Sequence, residues 1–285
     1  MPKLLFWNLN GKPVENLLAR VAKVYSPDIL FLAECKIPTN IILDALGSGE
    51  IFYKVVPSNC ARIRMFTSFD PDFVRPREEG NYFTIVQMTL PARDDIILAA
   101  AYLTSKLYQS TASQVHECTR LARKISSVET SIGHRRTIFL GDLNVNPFEE
   151  GIVVTEGFHA VMSHTVAQRA ERRVKGVSYP FFYNPMWSDL GDHSSGPPGT
   201  YYYERSEHVE YMWNMFDQIL IRPSLLKNFR TEDVRIISNI GEISLLTRQG
   251  RPDSSVGSDH LPVMLTLDYC LVRRIRGCFG AQRWG

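Results

Sequence analysis

The segment TIFLGDLNVNP, residues 137–147, shows most clearly how the chain is built. Residues 137–140 are apolar or β-branched, which is typical of a buried β-strand. Asp142 and Asn144 follow this strand two residues apart, and side chains of this type favour a turn. Because an apolar strand fixes the backbone rigidly, polar groups at its end can be held to the tolerance that catalysis requires. The segment therefore predicts a strand that presents a carboxylate and an amide at its end.

Other apolar runs along the chain end or begin at polar residues in the same way. Their composition predicts further strands at residues 4–7, 28–32, 51–56, 82–88, 96–103, 216–221 and 262–267. The polar residues at the strand ends are Asn8, Asn10, Glu34, Tyr102, Asp217, Asp259 and His260. We interpret these residues, with Asp142 and Asn144, as candidates for one functional site.

Two segments have the spacing of amphipathic helices. The apolar face of the first is predicted to consist of Leu17, Leu18, Val21 and Val24, before Ser26-Pro27 ends the helix. The second has an apolar stripe from Val115 to Val128 and ends near Gly133. Since strands outnumber helices, two packed sheets flanked by helices are the expected α/β architecture. Neither an internal repeat nor a long linker divides the chain, so residues 1–268 are predicted to form one catalytic domain, followed by a basic, flexible tail at 269–285.

The composition is that of a soluble globular protein with a sizeable core. Hydrophobic residues make up 44% and charged residues 22%, and the formal net charge of +2 does not by itself indicate a polyanionic partner. The five cysteines show no C-x-x-C spacing and are predicted to be free thiols. We find no signal-peptide pattern, no apolar run of the ~20 residues that a membrane span needs, and no sign of an obligate protein partner. The predicted location is the cytoplasm, without membrane contact.

The candidate residues have the chemistry of metal-assisted phosphoryl hydrolysis. A hard cation such as Mg²⁺ prefers oxygen ligands, and Glu34 suits this role, with Asp259 and Asn10 as further candidates. Asp142 can accept a proton from water while Asn144 orients that water. His260, held by a carboxylate such as Asp217, can donate to a phosphoryl oxygen. Each residue alone is also compatible with a purely structural role, such as an Asx turn at Asp142.

The motifs together resemble the endonuclease/exonuclease/phosphatase superfamily, which includes exonuclease III-like and deoxyribonuclease I-like enzymes. They occur in the family's order across residues 4–267, as WNLNG, a strand ending at Glu34, YLTS, GDLNVNP, FDQIL and GSDHLPV. The resemblance implies a four-layer α/β sandwich with two central, mostly antiparallel mixed sheets flanked by helices. It also implies Mg²⁺ or Mn²⁺ as cofactor, Glu34 as principal metal ligand, and supporting roles for Asp259 and Asn10. Asn8 would orient the scissile phosphate or a neighbouring carboxylate, and Tyr102 would reach the phosphate.

Departures from the family pattern bear on the substrate. The phosphatase branch usually carries a Trp-Cys-Asp-Arg segment, where this chain has Asn214-Met215-Phe216-Asp217-Gln218. The Tyr-x-Pro segment usual in exonuclease III-like enzymes is replaced by Tyr102-Leu103-Thr104, which puts abasic-site specificity in doubt.

A basic and aromatic stretch from Gln168 to Tyr203 lies outside the strand pattern. Cations follow a phosphate backbone and aromatic faces stack on bases, so the stretch is predicted to hold the substrate over the site. The predicted substrate-binding residues are Arg172, Arg173, Tyr183, Trp187 and Tyr202. The alternative is that the aromatic residues pack in the core of the second sheet.

The sequence thus predicts a divalent-metal-dependent phosphodiesterase, and more narrowly a nuclease acting on DNA or RNA. A phosphoesterase acting on a lipid or on a small phosphorylated molecule is the alternative enzyme. A binding module that kept the fold without catalysis is disfavoured, because every expected catalytic residue type is present.

Overall fold

The computed structural model describes residues 2–268, apart from Ser48, Glu50, residues 106–109 and Glu207. The predicted tail at 269–285 lies outside these residues. The strands are β1 Lys3–Asn8, β2 Ile29–Ala33, β3 Lys54–Val56, β4 Ile63–Thr67, β5 Val74–Glu79, β6 Phe83–Met88, β7 Ile96–Tyr102, β8 Thr137–Asp142, β9 Ala160–Val161, β10 Glu171–Val174, β11 Val177–Pro180, β12 Phe182–Tyr183, β13 Tyr201–Tyr202, β14 Trp213–Asn214, β15 Asp217–Ile221, β16 Val234–Ile236, β17 Asn239–Ile240, β18 Ile243–Ser244 and β19 Val263–Thr266. The α-helices are α1 Glu15–Tyr25, α2 Thr39–Leu46, α3 Thr111–Ile132, α4 Glu150–Val153 and α5 His164–Ala167. Short 3₁₀ helices occupy Pro71–Phe73, Pro185–Asp189, Pro223–Asn228 and Thr231–Asp233.

Two mixed sheets form the centre of the molecule. The first has six strands in the order β16-β19-β1-β2-β4-β3, and the second has seven in the order β5-β6-β7-β8-β15-β12-β9. Only the β1–β2 pair of the first sheet is parallel. In the second sheet, β7–β8 and β12–β9 are parallel and the other pairs are antiparallel. The prediction of two mostly antiparallel mixed sheets is confirmed.

The sheets pack face to face because successive residues of each inner strand alternate between two apolar layers. In β1, Leu4 and Phe6 face the core between the sheets, whereas Leu5 and Trp7 face the helices α1 and α2. The outer face of the seven-stranded sheet packs against the apolar stripe of α3, for example at Phe139. Helices therefore cover both outer faces of the sheet pair, which confirms the predicted four-layer sandwich.

Both predicted helices form, with ends close to those expected. Ser26 and Gly133 adopt left-handed conformations with φ of 48° and 86°, and each ends its helix by donating a backbone hydrogen bond into the last turn. One detail of the prediction is wrong, since Val24 is 48% exposed and does not share the buried face of Leu17, Leu18 and Val21.

Several strands differ from the prediction. The strand predicted at 51–56 begins only at Lys54, and β4, β5 and α2 were not predicted. In β4, the charged Arg64 interrupts the apolar run, which hides the strand pattern. The strand accommodates this side chain because its Nη1 donates a hydrogen bond to the carbonyl of Ile37. β5 is an edge strand with the composition VRPREE, so its charged side chains hide the strand pattern.

The strand β15 connects two different environments at its two ends. Asp217 begins the strand opposite Asp142, the last residue of β8. At the other end, the buried Arg222 guanidinium pairs with Glu129 of α3 at 2.8 Å and donates to the carbonyl of Phe181. It also donates to the carbonyl of Pro180, which ends the β10–β11 hairpin. The hairpin therefore leaves the sheet at the end opposite Asp217.

Cys35, Cys60 and Cys118 are free thiols, as predicted, whereas Cys270 and Cys278 lie outside the described residues. Within the described part of the chain, none of the helices combines the length and the apolar character that a membrane span requires.

Candidate active site

A cleft of about 730 Å³ opens where strand ends of the two sheets meet. Asn8 and Glu34 come from the six-stranded sheet, and Asp142 and Tyr102 come from the seven-stranded sheet. The predicted residues that line this cleft are Asn8, Asn10, Glu34, Tyr102, Asp142, Asn144, Asp259 and His260. The remaining predicted site residue of the two sheets, Asp217, is bonded directly to His260. The structure thus brings all nine strand-end residues together.

Asp142 is fully buried at the end of β8 and is held by two donors. The Asn8 side chain donates to Oδ2 at 2.9 Å, and the backbone N–H of Asn144 donates to Oδ1 at 2.9 Å. Burial raises the pKa of Asp142, and the nearby Asp217 raises it further. The His260 charge and the two hydrogen bonds act in the opposite direction and favour the carboxylate. The group is thereby a stronger base than an exposed aspartate, while its position is fixed.

His260 forms a buried pair with Asp217 that bridges the two sheets. Its Nδ1 lies 2.8 Å from Asp217 Oδ2, and its Nε2 lies 3.8 Å from Asp142 Oδ2. Burial lowers the pKa of His260, but the Asp217 and Asp142 carboxylates outweigh burial and raise the pKa above its ordinary value. The imidazole is therefore charged at neutral pH and can donate from Nε2. Trp7 Nε1 donates to the His260 carbonyl at 2.9 Å and fixes the backbone.

Glu34, Asn10 and Asp259 lie on the rim of the cleft. Asn10 Nδ2 donates to Asp259 Oδ2 at 2.9 Å, and Glu34 Oε1 lies 3.5 Å from Arg62 Nη1. Burial and the Glu34 carboxylate, which accepts a hydrogen bond from Tyr102, raise the pKa of Tyr102 well above its ordinary value. Tyr102 is therefore a neutral donor.

Three of the site residues have left-handed backbones although they are not glycine. The φ angles are 45° at Asn10, 47° at Glu34 and 51° at Asn144. This conformation is unusual for glutamate, and strain of this kind persists only where the surrounding structure imposes it. At Glu34 the surroundings do so through the backbone, since its carbonyl accepts from Gly11 and its N–H donates to Arg62.

Carboxylate and imidazole atoms of the site can hold a metal ion. Asp142, Asp217 and His260 present ligand atoms within 4.8 Å of one another. Asp217 Oδ1 is buried and has no hydrogen-bond partner among the described atoms. The oxygen atoms of Glu34, Asp259 and Asn10 face the same cleft and have the donor chemistry that hard divalent cations prefer. The residues present therefore fit a divalent cation.

Solved structures with this architecture were found by comparison. The endonuclease domain of TRAS1, a telomere-specific non-LTR retrotransposon, is 14% identical, with a TM-score of 0.53 over 94% of this chain and 98% of that domain. The 3' phosphatase NExo from Neisseria, solved with product DNA hairpin, is 15% identical, with a TM-score of 0.55 over 94% of this chain and 100% of that one. An endonuclease/exonuclease/phosphatase family protein from Leptotrichia buccalis is 10% identical, with a TM-score of 0.54 over 94% and 99% of the two chains.

This chain has the endonuclease/exonuclease/phosphatase fold. The resemblance inferred from the sequence motifs is confirmed for the fold over nearly the whole chain. Searches against protein-family models and against curated protein sequences gave no match.

The basic hairpin does not lie where it was predicted. Arg172 and Arg173 are exposed on β10, at the sheet end opposite the cleft of the endonuclease/exonuclease/phosphatase fold. Tyr183 is 3% exposed and packs in the core between the sheets, as the core-packing alternative proposed. The reason is the pairing of β12 with β15, which places Tyr183 opposite Ile221 and sends the preceding hairpin away from Asp217. These three residues do not line the cleft, and their contact with a substrate stays a prediction.

The C-terminal part of the same stretch does reach the cleft, through other side chains. Tyr202 points away and packs against Trp213 and under Arg251, whereas Tyr201 and Tyr203 line the cleft. Successive side chains of a strand alternate between its two faces, so Tyr202 faces away from the cleft when Tyr201 and Tyr203 face it. Trp187, the fifth predicted contact, is half-buried against Phe148 and does not line the cleft itself.

Two neighbouring residues that were not predicted as site residues contact the His260–Asp217 pair. Tyr201 lies with its ring centroid 4.6 Å from that of His260. The Thr200 hydroxyl accepts a hydrogen bond from the Asp217 backbone at 3.1 Å. A local sequence pattern does not reveal these contacts, because they depend on β13 lying beside the turn that precedes β19.

Proposed function

We propose that this protein is a divalent-metal-dependent phosphodiesterase, and more narrowly a nuclease that hydrolyses phosphodiester bonds of DNA or RNA. The observation that carries the proposal is the pair of adjacent buried groups that lines the cleft, Asp142 and His260. Asp142 is held as a base by Asn8 and Asn144, and His260 is held as a charged donor by Asp217. A fixed base beside a fixed cationic donor suits attack of water on phosphorus.

In the proposed reaction, Asp142 accepts a proton from the attacking water. Asn144 Nδ2 is bonded to the Leu103 carbonyl at 2.8 Å, which turns its Oδ1 into the acceptor that orients this water. The water oxygen forms a new bond to phosphorus, and the bond between phosphorus and the leaving ester oxygen breaks. The leaving oxygen takes up a proton from solvent, which restores a hydroxyl on the product, and Asp142 returns its proton to solvent.

His260 and Tyr102 are proposed to bind the phosphoryl oxygens. The negative charge on these oxygens grows during attack, so a charged donor at Nε2 stabilises the transition state more than the ground state. Asp217 keeps the imidazole charged and oriented by its bond to Nδ1. Asn8 positions Asp142 and is not itself a proton carrier.

Glu34, with Asp259 and Asn10, is proposed to hold a Mg²⁺ or Mn²⁺ ion. When bound, such an ion neutralises phosphoryl charge and helps place the substrate. These residues are preferred over the buried Asp142, Asp217 and His260 group, because a cation there would have to displace the hydrogen bond between His260 and Asp217. The rim residues can bind the ion without losing that bond.

Nucleic acid is the proposed substrate because of the similar structures and the charge around the cleft. One similar structure is an endonuclease domain, and another was solved with a DNA hairpin. Arg205 lines the cleft, and Arg62 and Lys36 line a smaller pocket that adjoins it at Glu34. Cations at both sides of the site can follow a phosphate backbone. A phosphoester of a lipid or of a small molecule is the alternative substrate, since one scaffold hosts many functions.

The test is hydrolysis of a substrate panel with and without metal. Purified protein is incubated with Mg²⁺ or Mn²⁺ and DNA, RNA, abasic DNA or phospholipid head-group substrates. We expect cleavage of a nucleic acid that stops in excess EDTA and is restored by added metal. Full turnover in EDTA excludes the metal dependence, and cleavage of the phospholipid substrates alone favours the alternative. The Asp142→Asn variant controls for contaminating nucleases.

A further inference from the structure

Three aromatic side chains form a continuous surface beside the cleft, which we call the aromatic platform: Phe148, Tyr211 and Trp187. The rings of Phe148 and Tyr211 meet edge to face, with centroids 5.3 Å apart and an interplanar angle of 72°. Trp187 contacts the other side of Phe148, with centroids 6.2 Å apart. Tyr211 is 55% exposed and Phe148 is 36% exposed, so much of the platform faces solvent.

The platform reaches the cleft through Tyr211. Tyr211 lines the same cleft as Asp142 and His260. Phe148 lies in the segment between β8, which ends at Asp142, and α4. A ligand whose phosphate occupies the cleft therefore has its neighbouring groups within reach of these rings.

The platform is also held rigidly, as a binding surface requires. The Asn146 side chain links the segment that carries Phe148 to the segment that follows Tyr211. Its Nδ2 donates to Asn214 Oδ1 at 2.8 Å, and its Oδ1 accepts from the Met215 N–H at 2.9 Å. The loop that carries Tyr211 is closed at its base by a hydrogen bond from the Tyr203 N–H to the Met212 carbonyl. A preorganised surface loses little entropy when a ligand binds.

We infer that the aromatic platform binds an unpaired nucleobase next to the scissile phosphate, and that the substrate is a single-stranded or unpaired segment of nucleic acid. Exposed aromatic side chains stack on bases of any sequence, because every base has a π face. Inside a duplex, both faces of a base are covered by its neighbours, so a base must be unstacked to reach a side chain. This inference rests on the proposed nuclease function and narrows its substrate.

Arg205 supports the same interpretation from the wall of the cleft. Its guanidinium lies 4.9 Å from the centroid of the Tyr203 ring, and both side chains line the cleft with Tyr211. A cation beside aromatic rings is the combination that follows a single strand, because the cation contacts the phosphate backbone while the rings stack on the bases. A lipid substrate would contact the cation only through its head group, because its acyl chain carries no charge.

The experiment compares the Michaelis constants of three substrates. These are a short single-stranded oligonucleotide, the same backbone with abasic residues around the cleavage site, and bis(p-nitrophenyl) phosphate. We expect Tyr211→Ala and Phe148→Ala each to raise KM for the base-bearing strand at least about fivefold, the lower end of a lost stacking contact. KM for the abasic strand and for bis(p-nitrophenyl) phosphate should not change. Tyr211→Phe should behave like the unmodified protein, because it keeps the ring.

The control is Phe52→Ala, which removes a 75% exposed aromatic ring beside β3 that does not line the cleft. Melting curves of all variants separate a binding effect from a folding defect. The inference is overturned if Tyr211→Ala leaves KM for the base-bearing strand unchanged, or if it raises KM for all three substrates equally. If the unmodified protein cleaves bis(p-nitrophenyl) phosphate or a short-chain phospholipid but no oligonucleotide, the nuclease function fails together with the platform. If it cleaves both strands with equal KM, only the platform fails.

Discussion

Asp142 and His260 lie side by side in the cleft, with Asp142 Oδ2 3.8 Å from His260 Nε2, and each is tested by its own variant. We predict that Asp142→Asn and His260→Ala each lower kcat by at least ~10²-fold, the usual effect of losing an acid–base or oxyanion-binding group. The reason is that neither the proton acceptor nor the charged donor can be replaced by a neighbouring side chain. Single-turnover rates and melting curves are the measurements. A folded variant with near-native kcat would show that the residue has another role.

Glu34 is the residue through which the metal requirement can be examined. We predict that Glu34→Gln weakens divalent-metal binding, because a neutral amide replaces the carboxylate that is proposed as the principal metal ligand. Titration of Mn²⁺ by calorimetry in the absence of substrate measures this directly. Arg62→Ala is the matched control, since it removes the cation 3.5 Å from Glu34 and should not weaken metal binding. Equal metal affinity in Glu34→Gln and the unmodified protein would remove Glu34 from the ligand set.

At the scale of elements, the strand β15 carries a reactive end and a structural end. At the structural end, the Arg222–Glu129 pair is buried, with side-chain exposures of 3% and 2%. We predict that Glu129→Gln lowers the free energy of unfolding by ~3–5 kcal/mol, because it leaves a buried guanidinium without its counter-charge. The rate at saturating substrate should stay close to native below the melting temperature.

The matched change at the other end is Asp217→Asn, which has the opposite expected profile. It removes the carboxylate that holds His260, so kcat should fall. Stability should change less than in Glu129→Gln, because the imidazole of His260 can lose its proton whereas the guanidinium of Arg222 cannot. Denaturant unfolding and steady-state kinetics on the two variants give the comparison. A Glu129→Gln protein that unfolds like the native one would show that water or another group compensates the arginine.

At the scale of the whole molecule, one buried histidine far from the cleft gives stability a pH dependence. His159 is 2% exposed, stacks on Phe181 with centroids 4.4 Å apart, and has no hydrogen-bond partner at Nδ1 among the described atoms. Burial, together with Arg172 and Arg222, lowers the pKa of His159 in the folded state. The unfolded chain therefore binds a proton at His159 more readily than the folded chain. The stability that neutral His159 contributes is lost as pH falls below the pKa of ~6.5 that histidine has in the unfolded chain.

We predict that His159→Gln flattens the fall in Tm between neutral and mildly acidic pH. Glutamine cannot take up the proton, so the folded and unfolded states no longer differ in protonation at this position. His116→Gln is the control, because His116 is exposed on α3. Calorimetric Tm values across this pH range are compared for the three proteins. Identical slopes in all three would rule out a contribution from His159.

The strand-end residues could be predicted because each one depends on its immediate neighbours in sequence. An apolar strand followed by a polar residue is visible locally at Asn8, Glu34 and Asp142, and the fold then brings the ends together. The position of the hairpin with Arg172 could not be predicted in this way. It depends on the antiparallel pairing of Tyr183 with Ile221, two residues far apart in sequence, which decides at which end of the sheet the hairpin emerges.

The choice among neighbouring tyrosines was likewise beyond the sequence. Tyr201 faces the cleft and Tyr202 faces away, and a shift of one residue in the β13–β14 pairing would exchange them. Composition alone shows a cluster of aromatic residues but not its register. The roles of the cleft residues in catalysis and metal binding stay predictions until the variants above are measured.

Each half of the proposed chemistry is attached to a different sheet. Asn8 and His260 belong to the strands and turns of the six-stranded sheet, and their partners Asp142 and Asp217 belong to the seven-stranded sheet. The two hydrogen bonds, of 2.9 and 2.8 Å, therefore span the boundary between the sheets. A small sideways slip of one sheet over the other would separate Asp142 from Asn8 and His260 from Asp217. Every strand would still be intact.

The rate of the proposed reaction should therefore depend on how the two sheets are aligned. In a urea titration, we expect activity to disappear at concentrations where far-ultraviolet circular dichroism is still native, because a small shift between the sheets breaks these two hydrogen bonds whereas melting must break the strand pairs themselves. Enlarging a residue at the inter-sheet boundary, for example Ala100→Val, should widen the gap between the two midpoints. Coincident midpoints in both proteins would mean that the two sheets move only when the whole sandwich unfolds.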